Sequence, residues 1–300
     1  MLAVGYSSLN YLHHGCFLTG NSTTKQERFA MRQLVTTGLA IVIAGLSLVA
    51  TAAAQEKGYA GMLRYPDVSQ DHITFVYDND VWIADKAGGM ATPLSSPAGQ
   101  EMNPRFSPDG THIAFTANYD GNFDVYEIPI NGGTPLRLTY GPSFDRMIDY
   151  SPDGRAVFNA YRDARFPHGR LFYAGEDGGA PEALPPAYAF YASFDETGEW
   201  LAFAPWTREY RTWNRYQGGT ATDIWLFNLS TLESSRITDH PGTDDMPMFH
   251  GSKVYYLSDA GPESRRNIWV YDTKSGKASQ VTHFTVSEVK WPAIGPEEIV

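Results

Sequence analysis

Ile113, Phe115 and Ala117 alternate with Ala114 and Thr116, a period of two that predicts a β-strand with one set of side chains on each face. Turn residues bracket it. Ahead stands Ser107-Pro108-Asp109-Gly110, where Pro presets φ, Asp bonds its own backbone and Gly accepts positive φ at little cost. Behind comes Asp120-Gly121-Asn122. A short strand at 103–106, a third at 124–128, a turn at Asn131-Gly132-Gly133 and a fourth strand at 136–139 complete an antiparallel meander of about 40 residues.

The meander repeats. Phe106-Ser107-Pro108-Asp109-Gly110 returns as Tyr150-Ser151-Pro152-Asp153-Gly154 and, after an equal interval, as Phe194-Asp195-Glu196-Thr197-Gly198. The aromatic of the third strand returns as Trp82, Tyr126, Phe172, Trp225 and Trp269. Gly-Gly turns stand at Gly88, Gly132 and Gly178, and the fourth-strand ending Arg137-Leu138-Thr139 is echoed by Arg236-Ile237-Thr238 and Gln280-Val281-Thr282. Four features recurring in phase predict an all-β propeller of four-stranded antiparallel blades, five complete and a sixth begun. The blades are expected at about 62–96, 103–141, 145–184, 191–238 and 244–282. A sixth unit opens at 288–294, turns at Pro296-Glu297-Glu298 and stops at Ile299-Val300. A blade cut in its second strand is expected to leave unpaired backbone and an apolar edge, as in a fragment of a longer protein. Blades one and five would then each lack a neighbour, and adding ~30 residues is expected to improve solubility.

Composition changes the picture in three ways. The formal net charge of −11 argues against a nucleic-acid partner, which calls for a basic face. The single cysteine, Cys16, lies ahead of a leader, so the mature chain is expected to contain no disulfide, thiol nucleophile or cysteine metal site. His13, His14 and Cys16 read as an unstructured extension rather than a metal cluster. Met31 is a plausible start, Arg32 gives a positive amino-terminal region, 34–49 is an uncharged apolar run, and Ala52-Ala53-Ala54 offers a cleavage site after Ala54. The run is short for a span of ~20 residues and holds Thr36, Thr37 and Gly38, which favours a cleaved signal over a membrane anchor. The expected organisation is 1–54 as extension and signal, then 55–300 as propeller, with export to the periplasm expected.

Several stretches resemble the amino-terminal propeller of tricorn-type serine proteases, and more loosely the blades of TolB-like propellers. They are Met62-Leu63-Arg64-Tyr65-Pro66-Asp67, 103–110, Tyr119-Asp120-Gly121-Asn122, Arg215-Tyr216-Gln217-Gly218-Gly219, Tyr255-Tyr256-Leu257-Ser258-Asp259 and 291–296. The resemblance covers about 59–300. It implies a six-bladed first propeller followed by a second propeller, a PDZ-like domain and a serine peptidase core that cleaves oligopeptides inside a large homo-oligomer. The propellers would act as gated channels to and from the catalytic chamber. Expected partners are therefore peptides passing to or from that core, downstream domains of the same chain and further copies of it. None of the family's catalytic motifs falls in these residues, so no catalytic residue is carried over, and no cofactor or metal is implied. The type member is cytosolic, whereas the leader here points to export. The alternative is a free-standing TolB-like periplasmic scaffold that binds protein. A propeller cap of a prolyl-oligopeptidase-like enzyme fits less well, since that class usually closes with seven blades.

Candidate chemistry is sparse. Gly-x-Ser-x-Gly, His-Glu-x-x-His and Walker motifs are absent from the sequence. Asn118 to Asp124 alternates oxygen donors as a calcium loop does, but lacks its sixth-position Gly and twelfth-position Glu, so it reads as a hairpin turn. Glu101, Asp145 and Asp244 stand at one fixed interval ahead of Phe106, Tyr150 and Phe249, and Glu288 opens the sixth unit. They are candidates to ring a channel mouth and attract cationic peptide ends, or else to cap strands and bond loop amides. The blade-three hairpin holds Arg162, Arg165 and His168. The longer blade-four hairpin interleaves Trp206, Tyr210, Trp213 and Tyr216 with Arg208, Arg211 and Arg215. That composition suits an interface with another domain or subunit, the alternative being a loop packed on itself through cation–π pairs.

Overall fold

Period-two strands joined by tight turns fold as five separate four-stranded sheets, each pairing its strands in chain order. In the computed structural model the described residues are 62–162, 169–175, 178–213 and 215–300, within the unit Ala60–Val300. The leader, Cys16, Met31, Ala54, Arg165 and His168 lie outside them.

Blade one is β1 (Arg64–Val68), β2 (His72–Tyr77), β3 (Asp80–Asp85) and β4 (Thr92–Pro93). Blade two is β5 (Glu101–Phe106), β6 (His112–Ala117), β7 (Asp124–Pro129) and β8 (Leu136–Arg137). Blade three is β9 (Arg146–Tyr150), β10 (Ala156–Ala160), β11 (Arg170–Tyr173) and β12 (Glu182–Ala183). Blade four is β13 (Tyr191–Phe194), β14 (Trp200–Ala204), β15 (Trp225–Asn228) and β16 (Ser234–Arg236). Blade five is β17 (Asp244–His250), β18 (Lys253–Ser258), β19 (Asn267–Asp272) and β20 (Lys277–Gln280).

Both faces of the second strands of blades two, three and four are buried. Ile113, Phe115 and Ala117 pack with Tyr65, Val76 and Val81 of blade one. Ala114, on the opposite face of the same strand, packs with Met147, Phe158 and Phe172 of blade three. Blade four repeats the device, with Leu201 and Phe203 facing Val157 and Leu171 while Ala202 and Ala204 face Val254 and Tyr256. Alternation here sorts side chains between two neighbouring blades rather than between core and water. Full burial of a Phe or Leu in these interfaces contributes roughly 1.5–3 kcal/mol.

The turns take the geometry their residues dictate. Gly110, Gly154 and Gly198 have φ of 70°, 89° and 72°, and their amides bond Ser107 O, Ser151 O and Asp195 O at 2.8, 2.8 and 3.1 Å. The last segment forms a tight hairpin in which Ala293 and Val300 exchange both backbone bonds, 3.0 and 2.9 Å, and Ile294 bridges Ile299. Contrary to the expected open edges, this hairpin touches both neighbours. Trp291 lies 4.4 Å from Tyr65 of blade one, centroid to centroid, and Lys86 pairs with Glu298 at 2.7 Å. Val289, Trp291 and Ile299 also pack against the cluster containing Leu257 and Ile268 of blade five.

Candidate functional site

The first strand of each blade borders a common axis. Four of these strands carry a bulge, between Arg64 and Asp67, Met102 and Arg105, Met147 and Asp149, and Asp245 and Met248. In the first, second and fourth, a residue with positive φ precedes proline: Tyr65, Asn103 and Met246, joined by Trp291 of the last hairpin. A bulge re-aims the side chains that follow it. Here it helps bring Asp67, Arg105, Asp149, Ser193, Met248 and Ala293 around one cavity of about 60 Å³. Each comes from a different unit, and each directly precedes an aromatic or aliphatic residue, which in the first four ends the strand.

These side chains also stitch one unit to the next. The Phe106 amide donates to Asp67 Oδ2 at 2.7 Å. Arg105 donates from Nε to Ile148 O at 3.0 Å and from Nη1 to Pro66 O at 3.3 Å, tying three inner strands together. The Phe249 amide donates to Ser193 Oγ at 3.0 Å. Asp149 Oδ1 accepts from the Tyr150 amide at 2.8 Å. Burial pushes the Asp149 carboxyl up to about 7, against the opposing pull of Arg105 and Ser193. Burial likewise raises Asp67, with Arg105 pulling it down.

The two ends of the axis differ. On the turn side the neck opens into a funnel of about 710 Å³, walled by Val68, Phe106, Ile130, Phe249 and Ile294 and rimmed by Asp71, Asp109, Glu196, His72 and His250. At the opposite end Arg146 donates from Nη1 to Asn103 Oδ1 at 3.3 Å and to the Tyr210 hydroxyl at 2.8 Å. The Tyr210 and Tyr191 hydroxyls lie 3.0 Å apart. The Arg146 guanidinium also stacks over Phe144 and Tyr210, each at 4.6 Å. The blade-four hairpin thus lays Tyr210 over this end of the axis.

None of the four carboxylates marked by spacing lines the axial cavity. Each sits where an inner strand leaves the preceding blade: the amides of Glu101, Asp145 and Asp244 bond Asn79 O, Phe123 O and Thr222 O. Glu101 is 1 % exposed. It accepts from the Val81 amide and Ser95 hydroxyl, both at 2.5 Å, and from the Tyr119 hydroxyl. Asp145 is buried against Arg162 and Ser143. Burial pushes Asp244 up to about 6, moderated by the hydroxyls of Ser258 and Thr238. Glu288 pairs with Arg266 at 3.3 Å. In this arrangement Glu101 bonds a neighbouring strand's amide, the strand-capping alternative.

The blade-four hairpin packs on itself and on its neighbours. Trp206 Nε1 and Arg208 Nη1 both bond Thr220, at 2.9 and 2.6 Å. The Arg208 guanidinium lies 3.8 Å over Tyr216 and 5.4 Å from Trp213. Arg215 donates to Ser264 O of blade five at 2.9 Å. Arg211 and Trp213 remain exposed, Trp213 by 61 %. Glu209, which spacing did not single out, is buried and pairs with Arg266 and with Lys290, the latter at 3.3 Å. The oxygen donors of the Asn118 to Asp124 stretch, read as a hairpin turn, are engaged within the protein: Asn118 Oδ1 accepts from Gln100 N at 2.6 Å, and Asp124 pairs with Arg137 at 2.6 Å.

Comparison with known proteins agrees with this architecture. A tricorn protease homolog 1 from Streptomyces coelicolor is 31 % identical over 204 residues, 66 % of this chain and 19 % of that protein. A putative tricorn protease homolog 2 from the same organism is 33 % identical over 221 residues, 69 % of this chain and 18 % of its own length. This chain thus spans about a fifth of the curated relatives it matches. The crystal structure of the tricorn protease superposes with a TM-score of 0.68 at 24 % identity, covering 79 % of this chain and 24 % of that one. A putative TolB from Agrobacterium tumefaciens shares the fold with a TM-score of 0.57 at 21 % identity, covering 73 % and 79 %. Residues 60–300 match the family described as the tricorn protease N-terminal beta propeller domain, and the chain belongs to that family.

Proposed function

We propose that this propeller is the non-catalytic channel or docking domain of an exported tricorn-like serine peptidase that degrades oligopeptides. What supports the reading is the axial passage bordered by the inner strands of a chain in this family. In this reading 289–300 is the inner hairpin of a sixth blade. The serine peptidase core lies elsewhere in a longer chain, and peptides travel on the axis. Downstream domains and further copies of the chain are the protein partners, with the exposed Arg211 and Trp213 of the blade-four hairpin offered to one of them.

The test is the gene beyond Val300 and the product it encodes. A second propeller, a PDZ-like domain and a serine-dependent oligopeptidase activity are expected, with secreted material beginning at Gln55. A stop codon within one further blade and no peptidase activity would overturn the reading in favour of a free-standing TolB-like scaffold.

A further inference from the structure

The axial funnel is acidic at its floor and apolar on its walls. Asp67, Asp71, Asp109, Asp149 and Glu196 line the neck and funnel, against a single guanidinium among the described residues, that of Arg105. Arg105 is already committed to the carbonyls of Ile148, Pro66 and Pro104. Asp67 is 8 % exposed. One of its oxygens holds the Phe106 amide. The other lies 4.0 Å from Arg105 Nη1, beyond hydrogen-bonding distance, and the Val68 amide also supports the carboxylate. Among the described residues no side-chain donor lies within hydrogen-bonding distance of Asp67, so a cation entering the neck would meet an acceptor there. Asp149 stands on the same neck, and a cation beside the two aspartates would favour the ionised forms that burial disfavours.

Above this floor Phe106, Ile130, Phe249 and Ile294 form an aliphatic and aromatic sleeve. A sleeve of that kind suits a methylene stem, as a buried carboxylate suits the charged head that ends it. No third His, Cys, Asp or Glu joins the two aspartates in a metal-binding group among the described residues. The chemistry therefore favours an organic cation over a metal ion. Tyr210, held by Arg146 and Tyr191, stands at the far end, and the wider mouth is on the turn side.

We propose that this funnel binds the cationic group of a peptide, with its ammonium or guanidinium held by Asp67 and Asp149 and its stem against the apolar sleeve. The proposal rests on the peptide-handling role above and names the chemistry that role selects. The cation has two sources, a basic side chain or a free amino terminus, and one set of fluorescent peptides separates them. One probe is amino-acetylated with an internal lysine. A second has a free amino terminus and no basic side chain. A third is acetylated and has none. Binding to the full chain is measured by anisotropy at low and high salt.

The lysine probe, the free-amine probe or both are expected to bind at least about tenfold more tightly than the neutral one, and more weakly as salt rises. Asp67→Asn with Asp149→Asn should abolish the difference. Melting of this variant checks that it folds, and the acetylation comparison on the unaltered protein stands even where it does not. Equal binding of all three probes, or a preference that survives in a folded double variant, overturns the proposal. Since binding is read without hydrolysis, loss of the peptidase reading would leave this result standing, and the reverse.

Discussion

A carboxyl group reports its surroundings through the proton it keeps. Asp245 is fully buried, and burial pushes it up to about 7 despite the bonds donated by Thr207 and the Met246 amide. Glu209 raises it further and Arg266 lowers it. Its unfolded value is near the ordinary 3.9. The folded state therefore holds this proton more tightly than the unfolded one. The contribution is fully present below about pH 4 and is lost as pH rises through about 7, by on the order of a few kcal/mol. Asp245→Asn cannot ionise, so its stability curve should fall less between pH 4 and 7 than that of the unaltered protein. Denaturant titrations at intervals across that window check this; parallel curves would show that Asp245 ionises as freely folded as unfolded. The residues of the axis were within reach of the same repeat arithmetic that marked Glu101 and Asp145. They lie one position before the strand-ending residue: Arg105 before Phe106, Asp149 before Tyr150, Ser193 before Phe194. Their side chains differ in charge and size, so chemical likeness did not mark them. Only the phase of the repeat, with the bulges at Tyr65, Asn103, Ile148 and Met246, puts them on one ring.

Strands declared themselves where burial enforces a pattern. The strand expected at Ile113 to Ala117 is β6, extended by His112, and the expected third strand is β7, extended to Pro129. Fourth strands were less legible: the expected 136–139 is reduced to Leu136–Arg137, because an outer strand with no partner beyond it receives little packing to fix its length. The blade-four hairpin was legible in composition but not in placement. Its aromatic and arginine residues were visible; the residue that anchors it inward, Glu209, is a single carboxylate between two of them. Buried Glu209 holds Arg266 and Lys290, and removing one partner of a buried pair leaves the other uncompensated. Arg266 keeps Glu288, so the loss in Glu209→Gln should be local. Amide exchange at Arg211 and Ala221, which close turns inside the hairpin, should quicken at least about tenfold while the β14 amides of Leu201 and Phe203 keep their protection. Equal acceleration in both would show that the hairpin and the blade open as one unit.

At the scale of the whole molecule, each blade is stable only through the faces it shares with its neighbours. The last hairpin supplies such a face to two blades at once. Trp291 packs on Tyr65 of blade one while Val289 and Ile299 pack with the cluster that includes Leu257 and Ile268. Gly295 permits the approach: a Cβ there would stand 2.6 Å from Val68 Cγ1. The sequence placed this hairpin's turn and strands but not its contact with blade one, because nothing in a repeat states that its last unit meets its first. That contact is measurable as a coupling. Trp291 is partly buried, so Trp291→Ala should cost about 2–3 kcal/mol, less than the roughly 3–5 of a fully buried tryptophan. Tyr65→Ala should cost a similar amount. Since the rings touch, removing the second after the first should cost less than removing it alone, by about 0.5–1.5 kcal/mol. The four proteins of this double-mutant cycle, unfolded in urea, give that difference directly. Strict additivity would mean that the two rings do not meet in solution, and that blades one and five face solvent across a gap instead of sharing this hairpin.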